Sequence, residues 1–350
     1  MSDRITTEKK KVLLLTTGGT IASVKSPDGL VPGLSSAQLR EHLPQIGDDI
    51  EIDIKELYHI DSTDMSAKQW LGIVRAVREN YDAYDGFVIA HGTDTMAYTA
   101  AVLSYLIQDP DKPIVLTGAQ KPIGFEITDA KANLQDSIMY AADPFSKGVQ
   151  IVFAGKVIAG THARKVRSMS TLAFDSINLP VIAEINSGRV IQYIKAPEFY
   201  KYDFAAADGP CRFYEQIDTD VFLLKLTPGM SPALIPAIFE NYDAVVIESF
   251  GAGGIPDSIE KTLFEELSKF SPEEKILAMT TQVTYEGSHL DTYEVGRRIT
   301  SSFKILEARD MTLEATIAKL MWILAEKEQT WEEIERRFYT PVALDTLIGH

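Results

Sequence analysis

Two threonines lie directly behind glycines at the ends of apolar runs, and they are the side chains best placed to do chemistry in this sequence. Thr20 follows a glycine pair and the apolar run 12–15, and Thr93 follows one glycine and the apolar run 86–90. Glycine lacks a Cβ, so a ligand or another backbone can come close to it. A threonine hydroxyl acts as a nucleophile if another group removes its proton. The alternative is that Thr20 caps a strand-to-helix turn.

Charged side chains near Thr93 could complete such a site. Asp94 lies at the start of a predicted helix, where it would either cap the helix or hold a substrate ammonium. Lys165 belongs to the basic segment 155–167 of an acidic chain. A lysine brought to Thr93 would carry a proton or supply positive charge, although such a segment can equally be a solvated loop. Histidine has a pKa suited to a general base, but we interpret His91 as structural because a histidine beside a buried strand usually is.

A third group of polar side chains follows the strand predicted at 50–57. Asp61 and Ser62 offer hydrogen-bond acceptors and donors there, and they lie too early in the chain to cap the next predicted helix. In an open α/β sheet, ligands bind in the crevice beyond the carboxyl ends of the strands. We therefore expect these side chains and the two threonines to meet at one crevice.

Apolar runs alternate with helical patterns through the first half of the chain, which predicts a mostly parallel sheet with helices on both faces. The predicted strands are 12–15, 50–57, 86–90, 113–117 and 149–153, and the predicted helices are 35–42, 66–81, 95–106 and 128–142. A second pattern of this kind has strands at 221–226, 244–248 and 276–280 and helices at 232–240, 259–270 and 313–324.

Between the two patterns, residues 185–213 show no sustained period and predict a hairpin and an interdomain linker. The predicted fold class is therefore α/β, with a large N-terminal, mostly parallel, doubly wound sheet domain and a smaller C-terminal α/β domain. We place the N-terminal catalytic domain at 1–190, the linker at 191–215 and the C-terminal domain at 216–350.

The composition limits the partners and the compartment. Of 350 residues, 34 are basic and 50 are acidic, for a net charge of −16. Such a surface repels nucleic-acid phosphates and anionic lipid heads, so neither nucleic acid nor a membrane is expected as a partner. A single cysteine, a polar amino-terminal segment and the lack of a bilayer-length apolar run predict a cytoplasmic location. The sequence lacks phosphate-loop motifs and the His/Cys spacing of zinc sites.

Two motifs give the sequence a family resemblance. Thr-Gly-Gly-Thr-Ile-Ala at 17–22 and His-Gly-Thr-Asp-Thr at 91–95 resemble the two signature motifs of the bacterial-type L-asparaginases. Residues 61–65 and 160–165 also have counterparts in that family, and the resemblance extends along nearly the whole chain. The length and the segment after Asp94 are most similar to the cytoplasmic type I branch.

The resemblance implies hydrolysis of the side-chain amide of L-asparagine to L-aspartate and ammonia. Thr20 would form an acyl-enzyme, Thr93 and Lys165 would assist proton transfer, and Asp94 would hold the α-ammonium of the substrate. The amino-acid end of the substrate would be bound by Asp61, Ser62 and Thr63. Family members are homodimers or homotetramers with an intersubunit contribution to the site, and they need no metal or cofactor, so the same is expected here.

Amide hydrolysis fits these residue types. It requires a nucleophile, an acid for the leaving ammonia and hydrogen-bond donors for the oxyanion. We expect the backbone N–H groups of the turns at Gly19 and Gly92 to supply these donors. A Ser-His-Asp pattern that would serve better does not occur in the sequence.

The sequence departs from the family pattern at three positions. Leu30 stands where many members carry a tyrosine that helps to activate the nucleophile, in a segment with two prolines and a glycine that would suit a mobile lid. Gly254 stands where relatives often have an asparagine that reaches the partner's site. Val283 aligns with a cysteine near the effector site of some type I enzymes, and Thr281 and Arg298 would be remnants of that site.

Three alternative functions stay open on the sequence. A glutaminase-asparaginase would differ by accepting one more methylene, which a pocket discriminates by only about 1–3 kcal/mol. A tRNA-dependent amidotransferase subunit shares the motifs but usually carries an extra N-terminal domain, whereas ten residues precede Lys11. An amino-acid-binding sensor without activity is supported only by the missing loop tyrosine.

Overall fold

The structure is a computed structural model that describes residues 9–26, 29–32, 36–43, 46–194 and 210–347. These residues form two compact units, with the boundary between Glu215 and Gln216. The first unit runs up to residue 194 and includes 210–215, and the second comprises 216–347. The predicted linker lies partly outside the described residues, so its limits stay a prediction.

The first unit is built from strands and helices that alternate along most of its length. Its strands are β1 (Lys10–Gly18), β2 (Ser23–Ser26), β3 (Gly29–Pro32), β4 (Ile50–Ile60), β5 (Gly86–Ala90), β6 (Ile107–Gln108), β7 (Pro113–Thr117), β8 (Gly148–Phe153), β9 (Lys156–Ala159), β10 (Ala163–Lys165), β11 (Phe174–Ser176), β12 (Ala183–Asn186), β13 (Arg189–Gln192) and β14 (Arg212–Phe213). Its helices are α1 (Ser36–Glu41), α2 (Ala67–Asn80), α3 (Met96–Leu106) and α4 (Ala130–Ala142).

Eight of these strands form one sheet in the order β13-β12-β9-β8-β7-β5-β1-β4. The strands β4, β1, β5, β7 and β8 run parallel. The remaining three pair antiparallel and form one side of the sheet. Helix α4 packs against β5, β7 and β8, and α3 packs against α2, β8 and β10. The predicted mostly parallel α/β fold class is confirmed.

Strand β1 lies inside this sheet because its sequence suits burial on both faces. Its apolar run 12–15 is at most 2% exposed and pairs with β4 on one side and β5 on the other. The strand ends at Gly18, whose φ of +106° is unfavourable for a residue with a side chain. A Cβ at Gly18 would also lie 2.3 Å from the carbonyl oxygen of Ile60. The chain can therefore leave the sheet here only through a glycine.

The sequence patterns fail where strands are short. The segment 155–167, for which one interpretation was a solvated loop, contains β9 and β10. The hairpin predicted within 185–213 is present, but its first strand begins at Ala183. Strand β14 lies inside the predicted linker and pairs with β6, so that part of the linker belongs to the first unit. Strands of two to four residues carry too little alternation to be recognised.

The second unit is a smaller α/β fold, as predicted. Its strands are β15 (Val221–Lys225), β16 (Ala244–Ser249), β17 (Ile276–Thr281) and β18 (Leu306–Glu307), and its helices are α5 (Ile235–Asn241), α6 (Asp257–Leu267), α7 (Glu294–Ser302), α8 (Leu313–Leu324) and α9 (Trp331–Tyr339). The four strands pair in chain order, and every pairing is parallel. Helices α7 and α9 were not predicted from the sequence, although Thr330 and Glu333 form a capping box that marks the start of α9.

The core of the second unit contains a buried ion pair. Lys319 Nζ lies 2.6 Å from Asp345 Oδ2, and both side chains are completely buried. Lys319 also donates to the carbonyl oxygen of Thr340 at 2.9 Å. The pair therefore links the segment after α9 to helix α8.

In the part of the chain that the structure describes, no helix has both the length and the apolar character required to cross a bilayer.

We predict that Gly18→Ala lowers the free energy of unfolding by about 3 kcal/mol or more, because strain at positive φ adds to a backbone clash. Gly188→Ala is the matched control, since Gly188 also has a positive φ of +73° but no heavy atom within 4 Å of its Cβ position. Only the conformational cost of about 1–2 kcal/mol is expected there. Urea unfolding measures the free energy of unfolding of both variants. Equal losses of stability in the two variants would contradict the predicted clash with the carbonyl oxygen of Ile60.

Candidate active site

The backbone turns that carry Thr20 and Thr93 are in direct contact. A Cβ on Gly19 would lie 2.4 Å from the amide nitrogen of Gly92 and 2.5 Å from its Cα, so no side chain fits between the turns. A Cβ on Gly92 would in turn lie 2.6 Å from Ser62 Oγ. The segments that follow β1, β4 and β5 therefore meet at one place, which is the crevice expected for a parallel sheet.

Thr20 begins a short 3₁₀ turn, Thr20–Ala22, and is half-buried. The end of β1 is fixed to the end of β5, because Thr17 Oγ1 donates to the carbonyl oxygen of Ala90 at 3.1 Å. Strands β2 and β3 follow the turn and pair antiparallel, with Leu30 opposite Lys25. The predicted lid segment is thus a hairpin in its described part, while its residues 27 and 28 lie outside the described residues.

Thr93, Asp94 and Lys165 form one hydrogen-bonded cluster. Lys165 Nζ donates to Thr93 Oγ1 at 2.8 Å and to Asp94 Oδ1 at 2.6 Å. Thr93 is buried, and the Lys165 side chain is only 16% exposed, whereas the Asp94 side chain is 62% exposed. The ammonium therefore contacts a buried hydroxyl on one side and an open carboxylate on the other. Asp94 does not cap α3, since the N-cap position belongs to Thr95, whose side chain makes no capping bond.

Lys165 reaches this cluster from a second, small sheet. It is the last residue of β10 and lies opposite Phe174 of β11. Strand β10 packs against α3, the helix that begins just after Asp94. The solvated-loop interpretation is therefore wrong for Lys165, because the side chain is held by a strand and turned into the cluster.

Gln120 also contacts the cluster, and the sequence analysis did not identify it. Thr93 Oγ1 donates to Gln120 Oε1 at 3.5 Å, and Gln120 Nε2 donates to the carbonyl oxygens of Arg167 and Ser170 at 3.4 and 3.2 Å. The amide thus joins the loop after β7 to the loop after Lys165. Its position three residues beyond Thr117, the end of β7, was the available signal, since polar residues after parallel strands line the crevice.

The segment after β4 has a partly different role from the predicted one. Asp61 Oδ1 accepts hydrogen bonds from the backbone N–H and the hydroxyl of Thr63, both at 2.9 Å. Asp61 therefore caps the 3₁₀ turn Ser62–Asp64, which was not predicted. A turn of three residues leaves no periodic signal in a sequence. The N-cap of α2 is Ser66, so Asp61 lies too early to cap that helix, as expected. Thr95 Oγ1 donates to the carbonyl oxygen of Ser62 at 2.7 Å and holds this turn against the start of α3.

His91 is completely buried directly below the contact between the turns. Its Nδ1 lies 2.7 Å from the carbonyl oxygen of Gly92, and its Nε2 lies 3.0 Å from Thr99 Oγ1. Burial lowers the pKa of His91 from 6.5 to about 4, because desolvation disfavours the charged ring. The imidazole is therefore neutral near pH 7 and has both nitrogens engaged, which supports our interpretation of His91 as structural.

Gly254 and the two predicted remnants of an effector site, Thr281 and Arg298, have local partners in the second unit. Gly254 forms an isolated bridge with Phe250. Thr281 Oγ1 donates to the carbonyl oxygen of Gly251 at 2.5 Å, and Arg298 is held by Glu260 at 2.8 Å. These contacts form without an effector, so an effector site at these residues stays a prediction. Among the described residues, no three His, Cys, Asp or Glu side chains are grouped so as to hold a metal ion.

The arrangement offers three chemical functions in one crevice. Hydroxyl groups are present on two touching turns, a lysine ammonium donates to one of them, and an exposed carboxylate is available for a cationic group of a ligand. A hydroxyl can attack a carbonyl carbon, and the lysine ammonium can take part in proton transfer. The exposed carboxylate can bind the positive group of a zwitterionic substrate.

Comparisons with known proteins identify relatives over most of the chain. Residues 11–198 match the family model described as "Asparaginase, N-terminal", and residues 220–338 match the one described as "Glutaminase/Asparaginase C-terminal domain". The chain is 39% identical to an L-asparaginase of Thermococcus kodakarensis over 328 residues, which are 93% of this chain and 96% of that protein. It is 32% identical to a glutamyl-tRNA(Gln) amidotransferase chain of Pyrococcus horikoshii over 345 residues, which are 95% of this chain and 76% of that protein.

The structural comparison agrees with the sequence comparison. The solved structure of the thermostable L-asparaginase from Thermococcus kodakarensis superposes with a TM-score of 0.86 at 37% identity, and the match covers 96% of this chain and 98% of that one. Both halves of the chain thus match models of one family, each over the unit in which its sheet lies. The chain belongs to the asparaginase family and is an amidohydrolase of that family.

Proposed function

We propose that this protein is an L-asparaginase, which hydrolyses the side-chain amide of L-asparagine to L-aspartate and ammonia through a threonine acyl-enzyme. The observation that carries the proposal is the bonding of Lys165 to both Thr93 and Asp94 beside the turn that begins with Thr20. The identity to the Thermococcus enzyme supports the same substrate.

In this proposal Thr20 attacks the amide carbon, the C–N bond breaks and ammonia leaves as the acyl-enzyme forms. Water then cleaves the ester, which releases L-aspartate and restores the Thr20 hydroxyl. Thr93 and Lys165 move the protons, which their 2.8 Å hydrogen bond allows. The N–H of Gly19 itself donates to the carbonyl oxygen of Ile60 at 3.1 Å, so the oxyanion donors are assigned to other backbone N–H groups of the turns at Gly19 and Gly92. Asp94 holds the α-ammonium of the substrate, because its carboxylate is exposed.

The remaining substrate contacts are assigned to the turn after β4, with Asp61, Ser62 and Thr63 at the amino-acid end of the substrate. Ser62 supports this assignment because it lies against Gly92. We further propose a homodimer or homotetramer in the cytoplasm, with no metal or cofactor in the reaction.

L-glutamine is a second candidate substrate, since the C-terminal family model carries glutaminase in its description. Its extra methylene changes binding by about 1–3 kcal/mol, so side activity is expected at a lower kcat/KM. Comparing kcat/KM for the two amides ranks them. The relationship to the Pyrococcus amidotransferase chain supports a tRNA-dependent role as a further candidate. Ammonia release from free asparagine by the purified chain alone would speak against that role.

We predict that Thr20→Ala abolishes ammonia release, with a loss in kcat of at least about 10³-fold, because the alanine offers no nucleophile. Thr20→Ser keeps a hydroxyl and is expected to retain measurable turnover. A coupled ammonia assay on both folded variants gives the answer. Wild-type turnover by Thr20→Ala would overturn the assignment of the nucleophile.

Lys165→Met should lower kcat by about 10²- to 10⁴-fold, since the proton-transfer group and the charge between Thr93 and Asp94 are lost. Lys156→Met is the control, because Lys156 lies in the same basic segment but pairs with Asp175 at 3.4 Å instead. The control is expected to keep wild-type kcat. If both variants behave alike in steady-state kinetics, the cluster has no catalytic role.

A further inference from the structure

A chain of buried hydrogen bonds runs from α2 through α3 to the turn that carries Thr93. Trp70 Nε1 donates to Thr99 Oγ1 at 2.9 Å, Thr99 Oγ1 lies 3.0 Å from His91 Nε2, and His91 Nδ1 lies 2.7 Å from the carbonyl oxygen of Gly92. Trp70 is 8% exposed, and Thr99 and His91 have no exposed surface. The chain thus links three separate elements without contact to solvent at its inner members.

The direction of every bond in this series follows from its last member. A carbonyl oxygen can only accept, so His91 Nδ1 carries the hydrogen and donates it to Gly92. Because the ring is neutral, Nε2 is then an acceptor, and the Thr99 hydroxyl donates its proton to it. The Thr99 oxygen in turn accepts from the indole N–H of Trp70, which can only donate. A single tautomer of His91 satisfies all the groups.

The hydrogen bond from His91 to Gly92 holds a part of the backbone that lies beyond the end of the sheet. The pairing of β5 with β7 ends at Ala90, and the backbone N–H of His91 makes one more bond to Thr117. The carbonyl of Gly92 lies beyond these bonds and is held by the imidazole. Because a trans peptide is planar, the N–H of Thr93 points opposite to this carbonyl, away from the buried ring. The imidazole thus sets the plane from which the Thr93 side chain departs.

We propose that Trp70, Thr99 and His91 are positioning residues, which fix the peptide between Gly92 and Thr93 and thereby align the Thr93 hydroxyl with Lys165 Nζ. The proposal rests on the proposed function, since it assigns these hydrogen bonds to the alignment of Thr93 with Lys165. Hydrogen bonds with a purely structural role would stabilise the fold without affecting that alignment. A misplacement of about 1 Å in such a pair can cost about 100-fold in rate, so small shifts of this peptide are measurable.

The test uses Thr99→Val, which keeps the shape of the side chain but removes the hydroxyl that orients His91. We expect kcat for ammonia release to fall about tenfold or more in protein shown to be folded by circular dichroism and urea unfolding. Thr99→Ser restores the hydroxyl and is expected to recover most of kcat. Ser104→Ala is the matched control, because it removes a buried hydroxyl from the same helix whose partner is the carbonyl oxygen of Ala100. It should leave kcat unchanged.

A double-mutant cycle with Lys165→Met separates positioning from general damage. If Thr99 acts through the alignment of Thr93 with Lys165, Thr99→Val lowers kcat less than about twofold when Lys165 is already absent. An equal loss in both backgrounds, or wild-type kcat for Thr99→Val, would overturn the proposal. Should Thr99→Val not fold, Trp70→Phe tests the same series of hydrogen bonds. It removes the indole N–H that donates to Thr99 Oγ1, so the Thr99 hydroxyl is free to rotate. The variant is expected to show the same coupling to Lys165.

Different results would refute the proposed function and the positioning role of the three residues. A wild-type protein that releases no ammonia from L-asparagine would refute the proposed function and the positioning role with it. An active wild type with an unchanged kcat in Lys165→Met would leave the proposed function standing and refute both the proton-transfer role of Lys165 and the positioning role. An active wild type, an impaired Lys165→Met and an additive Thr99→Val would refute the positioning role alone.

Discussion

The close approach of two glycine turns is the constraint on which the rest of the site depends. The gap between Gly19 and Gly92 is too small for a single Cβ, and a Cβ on Gly92 would also collide with Ser62. Parallel strands bring their carboxyl ends to one edge of a sheet, but side chains normally keep the loops apart. Here the missing side chains let the turns touch, so Thr20 and Thr93 leave neighbouring points of the backbone.

The charge of Lys165 is effective because of where its partners lie. Its ammonium has little exposed surface and bonds to the buried hydroxyl of Thr93, while the exposed Asp94 supplies the opposite charge. In the proposed mechanism, a lysine at this position can pass a proton to or from the Thr93 hydroxyl, and the exposed carboxylate stays open to a cationic ligand. The neutral His91 below contributes direction rather than charge, since both its nitrogens are engaged in the core.

Much of the fold could be predicted because its central strands are long and apolar. The run 12–15 and the strand Gly86–Ala90 are buried on both faces, and helix α2 shows its apolar stripe plainly. The short strands around Lys165 could not be predicted, because strands of three or four residues carry too little alternation to be recognised. The capping role of Asp61 was missed because a turn of three residues leaves no periodic signal. The contact of Gln120 with Thr93 was missed because the two residues lie 27 positions apart and meet only in the folded chain.

By itself, the sequence determined the residue types of the site and their places after strands: a glycine before each threonine, an aspartate beside Thr93 and a lysine in a basic segment. Only the tertiary structure decided which of them touch. Lys165 lies 72 positions from Thr93 along the chain and meets it at 2.8 Å, because β10 packs against the helix that begins behind Asp94. Spacing along a chain encodes local periodicity, whereas contact between distant segments is set by how the sheets and helices pack.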